Sequence, residues 1–307
     1  MTHVIPNLFI PGTPKGATTS LADWVSQHSQ IQLARLKEPW FFNDDRSTGH
    51  FVGREKAYLD LFEKQEGVRY YCDASPDYLF SKNALGAIAD YSPDARFLVT
   101  FRPYADAFFS LHQQERFMNL EPIESPEEAF QACNQRRRDA KRSRRVEISS
   151  LFYDERLRVG SQLVRALEFI PREHIMFIDF RLFRTSPETI WRGIEDFLGL
   201  PHEDIEFTVK NPRKTVTTGP AATLLRHGKT IKNMLGIRGK SRFLADAIRA
   251  RVSPPDTDPP ALSEEFRAQV DHRFRFDRAL VERFAKAGPA VLADGFFQCE
   301  DLGLLGS

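Results

Sequence analysis

Cysteine is scarce in this chain, with Cys72, Cys133 and Cys299 the only three in 307 residues. Odd in number and far apart, they supply neither a disulfide framework nor the spacing of a zinc site, and they read as reduced structural thiols. An excess of one charge is lacking too. The 43 basic residues almost cancel the 42 acidic ones, so no global field points to nucleic acid or an anionic membrane, and charge-driven recognition has to be local. The chain has no internal repeat, no opening segment of signal-peptide character, and no run near the roughly 18 apolar residues that a membrane span needs. The expectation is a soluble cytoplasmic protein with no membrane span and no nucleic-acid partner. With 41% hydrophobic residues, a chain of this length can bury a large core, and one elaborated α/β domain is favoured over two.

What is present alternates. Short runs rich in β-branched and aromatic residues at Val4–Ile10, Arg96–Phe101 and Ile175–Ile178 predict buried strands. Between and after them lie helical patterns: Leu21, Trp24 and Val25; Tyr78 to Ala89; Tyr104 to Gln114 behind Arg102–Pro103; and a long polar helix from Ser125–Pro126 into "RRRDAKRSRR", residues 136–145. Val159, Leu163, Ala166 and Leu167 form a further apolar face. "SPETIWRGIEDFLGLP" reads as a capped helix, with Ser186 as N-cap, Pro187 first and Gly199 as the stop, and a last helix is predicted over Ser263 to Ala285. Strand and helix in alternation predict a central parallel β-sheet flanked by helices, with its ligand site at the carboxyl ends of the strands.

One such end carries "FIPGTPKGATTSLADW", residues 9–24. A helix N-terminus offers unpaired N–H groups and partial positive charge, and glycine lets the backbone approach an anion. Gly12 and Gly16, with Thr13, Ala17, the mobile cation of Lys15 and the hydroxyls of Thr18 and Thr19, supply these ingredients. The same letters also describe a tight turn with an exposed lysine. A triphosphate loop would place its lysine after the second glycine, whereas here Lys15 precedes Gly16. "IMFID" puts Asp179 where such enzymes hold magnesium, or where an aspartate caps a turn.

"PGTPKGATTSLADWV", "KEPWFF", "DASPDYL" and "RFLVTFRPYADAFFSLHQQ" occur in this order. Together they resemble the signature segments of sulfotransferases that use 3′-phosphoadenosine 5′-phosphosulfate (PAPS), most closely the heparan-sulfate type and its bacterial relatives. "FIDFRLFRTSPETIWRGIEDFLGLP" and "PPALSEEFRAQVDHRFRFDRALVERF" extend the likeness over most of the chain. The resemblance implies a P-loop-like sulfotransferase fold: one domain over residues 1–307, with a nucleotide-binding core to about residue 200 and a nucleotide-covering loop and helices beyond. It implies transfer of a sulfonate from PAPS to a hydroxyl or amine of a glycan or small molecule, leaving 3′-phosphoadenosine 5′-phosphate (PAP), with no metal required.

Residue by residue, the resemblance implies that Lys15 and the stretch from Gly12 and Thr13 through Gly16, Ala17, Thr18 and Thr19 hold the 5′-phosphosulfate. Arg102 and Ser110 would clamp the 3′-phosphate, and Glu38 would be the catalytic base. On the residues alone, Arg102 is an arginine before a proline, Ser110 an ordinary helical serine and Glu38 half of a surface pair with Lys37. Relatives often carry histidine where this chain has Trp40, which cannot exchange a proton; His50 and His112 are either substitutes or ordinary polar histidines. In "KNPRKTVTTGP", residues 210–220, Arg213, Lys214 and Thr215 would cover the nucleotide. The basic run 136–145 is either a solvated face or an attractor of an anionic acceptor. Two readings remain beside the sulfotransferase: a kinase-like phosphotransferase using ATP and magnesium, and a degenerate nucleotide-binding module.

Overall fold

The computed structural model describes residues 4–45, 52–118, 120–143, 150–208 and 262–297. Six strands, β1 (Leu8–Phe9), β2 (Ile31–Leu33), β3 (Tyr70–Asp73), β4 (Arg96–Phe101), β5 (Ile175–Asp179) and β6 (Ala290–Val291), form one sheet in the order β2-β3-β1-β4-β5-β6. Every pairing is parallel. Because successive side chains of a strand face opposite ways, β4 sends Phe97, Val99 and Phe101 to one core and Leu98 to the other, and β5 divides Ile175 and Phe177 from Met176 and Ile178. Both faces are therefore covered, as a parallel sheet requires.

On the first face lie α3 (Ala84–Tyr91), α4 (Tyr104–Phe117), α8 (Val159–Ala166), α11 (Glu264–Arg273) and α12 (Arg275–Lys286); on the second, α1 (Thr18–Val25) and α10 (Pro187–Leu198). The second core centres on Trp24 and Trp191, both essentially fully buried, and each gains roughly 2–3 kcal/mol from leaving water. Further helices, the short α2 (Glu55–Leu59), α5 (Pro126–Gln131), α7 (Tyr153–Arg156) and α9 (Leu182–Thr185) and the longer α6 (Cys133–Ser143), fill the connections. No helix among the described residues is long and apolar enough to cross a membrane.

The boundaries depart from the sequence pattern where local bonding competes. Residues 78–83 form a turn rather than helix, and α3 starts at Ala84, whose N–H, with that of Asn83, donates to Ser81 Oγ. The polar helix after Ser125 breaks at Ala132 into α5 and α6. The C-terminal helix breaks at Phe274, whose ring is buried and stacks on Tyr104 at 4.5 Å. Ser263 and Ser125 accept N-capping hydrogen bonds, but Ser186 makes none with its side chain. It is simultaneously the C-cap of α9, donating its N–H to the Leu182 carbonyl at 2.9 Å, so one residue ends one helix and begins the next. Gly199 closes α10 in the left-handed conformation, as its position predicts.

This strand order positions the site. From β1 the chain crosses to the β2 edge, and from β4 it crosses towards β5, while β1 and β4 are neighbours. The crevice beyond their carboxyl ends is the topological switch point, where open α/β sheets bind ligands.

Candidate functional site

The loop after β1 enters that crevice. Lys15 has φ 63° and Ala17 φ 65°, both left-handed, while Gly16 between them is not. Alternation of this kind turns successive backbone N–H groups towards a common point and makes an anion-binding concavity. Ala17 is also the N-cap of α1 and has no side-chain oxygen to cap it, so the helix keeps its positive end for an external anion. Two glycines make the packing possible. A Cβ on Gly16 would lie 2.3 Å from Thr100 Oγ1, and one on Gly12, at φ 144°, would lie 2.6 Å from the Pro76 carbonyl. The loop is tied to β4 by Thr13 Oγ1 donating to the Thr100 carbonyl at 3.0 Å.

Arg102, just past β4, donates from Nη1 to the Lys15 carbonyl at 3.2 Å and lays its guanidinium over the Phe180 ring at 4.5 Å. Those contacts orient a planar cation beside the loop. Lys15 Nζ donates to Gln114 Oε1 of α4 at 3.0 Å. Ser110 lies one turn before Gln114 on the same helix, hence on the same face. Lys15, Arg102 and Ser110 thus border one crevice although 95 residues separate the first from the last.

Glu38 approaches from the segment after β2. Its side chain is 27% exposed and 3.4 Å from Lys37 Nζ, which also donates to Thr19 Oγ1 at 3.0 Å. Lys37 thereby links the Glu38 segment to the mouth of the loop. Glu38 and Trp40 both have left-handed backbones, at φ 57° and 48°, and non-glycine residues are held there only by surrounding structure. The Trp40 N–H donates to Ser75 Oγ at 3.1 Å. Ser75 and Tyr78 belong to "DASPDYL", so three of the four signature segments meet around one point.

The sequence model of the sulfotransferase family matches residues 52–204. The crystal structure of a sulfotransferase from Alicyclobacillus acidocaldarius is 25% identical, with a TM-score of 0.60 over 78% of this chain and 99% of that one. The chain belongs to the sulfotransferase family. Two further solved structures are a sulfotransferase domain from the curacin biosynthetic pathway (14% identity, TM-score 0.44, 89% of this chain and 99% of that one) and one from the Synechococcus PCC 7002 olefin synthase (14%, 0.41, 90% and 96%). A search of the curated proteins gives no match. The family match includes Arg102 and Ser110 and begins after Lys15 and Glu38.

Other residues singled out in the sequence of this sulfotransferase take structural places. Asp179 accepts from the Arg181 backbone N–H at 3.0 Å and from its guanidinium at 2.7 Å, the turn-capping role; no group of three or more metal-ligating side chains exists among the described residues. His112 is buried, bonded through Nε2 to the Ile123 carbonyl, and burial pushes its pKa down. His50, Arg213, Lys214 and Thr215 lie outside the described residues. The start of the basic run is not a solvated face: Arg136 pairs with buried Glu121 at 2.8 Å and Arg137 with Asp154 at 2.5 Å. Neither side chain is available to draw in an acceptor without breaking its pair.

The sequence reading missed Asp73, at the carboxyl end of β3. This carboxylate is fully buried and accepts from Ser75 Oγ at 2.6 Å and from the Tyr58 and Tyr78 hydroxyls at 2.8 Å each. Burial, with a smaller contribution from the nearby Glu38 charge, raises its pKa to about 6 against the pull of the three hydroxyls. A carboxyl that binds its proton more tightly in the folded than in the unfolded protein contributes stability that is complete below about pH 4 and lost as pH rises to about 6. In urea unfolding, the stability of Asp73→Asn relative to the unsubstituted protein should therefore climb by roughly 2–3 kcal/mol between pH 4 and pH 7. A difference that stays flat with pH would mean that Asp73 does not titrate in that window.

Proposed function

We propose that this sulfotransferase moves a sulfonate group from PAPS to a hydroxyl or amine of a glycan or small-molecule acceptor. The observation that carries the reading is the convergence, in the β1/β4 crevice, of an anion-binding loop with two cations, Lys15 and Arg102, the arginine donating a hydrogen bond to the Lys15 backbone carbonyl. A donor with phosphate at both its 5′ and 3′ positions has a use for both. The backbone from Gly16 to Thr19 and the Lys15 ammonium hold the 5′-phosphosulfate, and Arg102 with Ser110 takes the 3′-phosphate. In the transfer the acceptor oxygen or nitrogen bonds to sulfur, the bond from sulfur to the bridging oxygen breaks, and negative charge grows on the departing 5′-phosphate. Glu38 accepts the acceptor's proton.

Binding separates this reading from an ATP- and magnesium-dependent one. Calorimetry should find tight binding of PAP without added metal and weak binding of ATP with magnesium; the reverse order overturns the proposal. Transfer itself is tested by mass spectrometry of cell extracts incubated with enzyme and PAPS, in which an acceptor gains one sulfonate. PAP binding with no transfer to any acceptor would favour the nucleotide-binding module.

Arg102 makes a sharper claim. Charge-assisted contacts to phosphate contribute about 1.5–3 kcal/mol, so Arg102→Ala should weaken PAP by roughly 10- to 100-fold while hardly changing the affinity for adenosine 5′-phosphate, which lacks the 3′ group. Equal losses for the two nucleotides would move Arg102 away from the 3′-phosphate.

A further inference from the structure

We propose that Asp73 is a positioning residue for sulfonate transfer, fixing through Ser75 and Tyr78 the turn that carries Glu38. The inference rests on the reading of Glu38 as the base. A hydroxyl has one proton, and an ionised carboxylate only accepts. Ser75 gives its proton to Asp73 Oδ1 and is left with lone pairs, one of which receives the Trp40 N–H at 3.1 Å. Tyr78 gives its proton to Oδ2, and its oxygen receives the Phe42 N–H at a longer 3.5 Å. One buried carboxylate thus sets the direction of two hydroxyls, and these hold two backbone N–H groups of the segment 38–42.

Packing repeats the connection. The Phe41 ring stacks on Tyr58 at 4.3 Å and 9°, and Phe42 meets Tyr58 and Tyr78 edge to face. Both tyrosines that bond Asp73 therefore also grip the two phenylalanines of "KEPWFF". A third tie, the Val52 N–H to the Pro39 carbonyl at 2.9 Å, closes the turn from the other side. Such bracing is what keeps Glu38 and Trp40 in left-handed conformations that neither would adopt alone. The anion loop touches the same turn through backbone alone, Gly12 against the Pro76 carbonyl and the Leu79 N–H to the Pro11 carbonyl at 2.9 Å, and its side-chain ties run instead to Thr100 and Arg102. Disturbing Asp73 should then misplace the base and leave the donor site intact.

Asparagine at position 73 keeps the size and inverts one half of the polarity. If the amide nitrogen takes the Oδ1 place, Ser75 must accept from it and its own proton loses its acceptor; in the Oδ2 place the same happens to Tyr58 and Tyr78. Ser75→Ala removes one support outright. For Asp73→Asn and Ser75→Ala, kcat should fall about tenfold to a hundredfold while PAP affinity stays within about twofold, the split expected when a reacting group is misplaced by a fraction of an ångström. The double variant should be no slower than the slower single one, because both act through one support. Hydrogen exchange in the peptide covering residues 38–43 should rise in each variant, with the peptides of β1 and β4 unchanged.

An unchanged kcat overturns the proposal. So does a loss of kcat accompanied by an equal loss of PAP affinity and faster exchange across the sheet, since that is a general structural defect. The reading of Glu38 is judged separately, by Glu38→Gln: if that variant transfers sulfonate at the full rate, the base lies elsewhere. Exchange at 38–43 in Ser75→Ala then still decides the positioning claim, and unaltered exchange sinks it.

Discussion

Lys15→Ala is expected to slow sulfonate transfer by about 10²- to 10³-fold, the loss typical of removing one preorganised group from the point where charge develops. The expectation follows from where the lysine stands. Its backbone is part of the anion-binding concavity, its carbonyl receives Arg102, and its ammonium reaches across the crevice to Gln114. On the proposed reading, backbone amides already meet the 5′-phosphosulfate in the ground state and Arg102 the 3′-phosphate. As the bond to sulfur breaks, charge grows on the bridging oxygen, and a mobile ammonium that can leave Gln114 stabilises that change. PAP binding should therefore weaken far less, by about tenfold, the share of one charged hydrogen bond among several. Single-turnover kinetics beside calorimetry of PAP give both numbers. An unaltered rate would make the loop an ordinary strand-to-helix turn.

The order Lys15–Gly16 is what the sequence shows most clearly, and the structure gives it a physical reason. Gly16 must lie against Thr100, where a Cβ would collide, so the lysine falls on the preceding left-handed residue. The strands at β4 and β5 are legible because each carries a run of five buried residues. By contrast, β2 and β6 are three and two residues long and only partly buried, too short for any period to register. Arg102 can be placed at a helix entrance and Ser110 within that helix, but nothing in the letters joins them to Lys15. That link is a tertiary hydrogen bond across 87 positions. In the sequence Lys37 is only a neighbour of Glu38, and its contact with Thr19 depends on how β2 delivers the chain. Asp73 was part of a quoted segment without a role, because its importance lies in three hydroxyls that converge only after folding. The basic run misled in the opposite direction: charge pattern alone does not reveal that Arg136 and Arg137 turn inward to acidic partners.

Glu38→Gln should lower kcat by about 10²- to 10⁴-fold, the usual contribution of a positioned general base. Glutamine keeps the size and one hydrogen-bond acceptor but cannot take a proton at neutral pH. Trp40, two residues on, cannot replace it, and His112 is buried and committed to the Ile123 carbonyl. Donor binding should not change, because Glu38 lies on the turn after β2 and is linked to the loop through Lys37, which bonds Thr19. The loss should also depend on the acceptor. An alcohol must be relieved of its proton as it attacks, whereas a phenol with an acidic hydroxyl arrives largely prepared. The ratio of unsubstituted to Glu38→Gln rates should therefore shrink steadily across a series of acceptors of falling pKa. A ratio that stays constant over such a series would show that Glu38 acts on something other than the acceptor's proton, whatever the size of the loss.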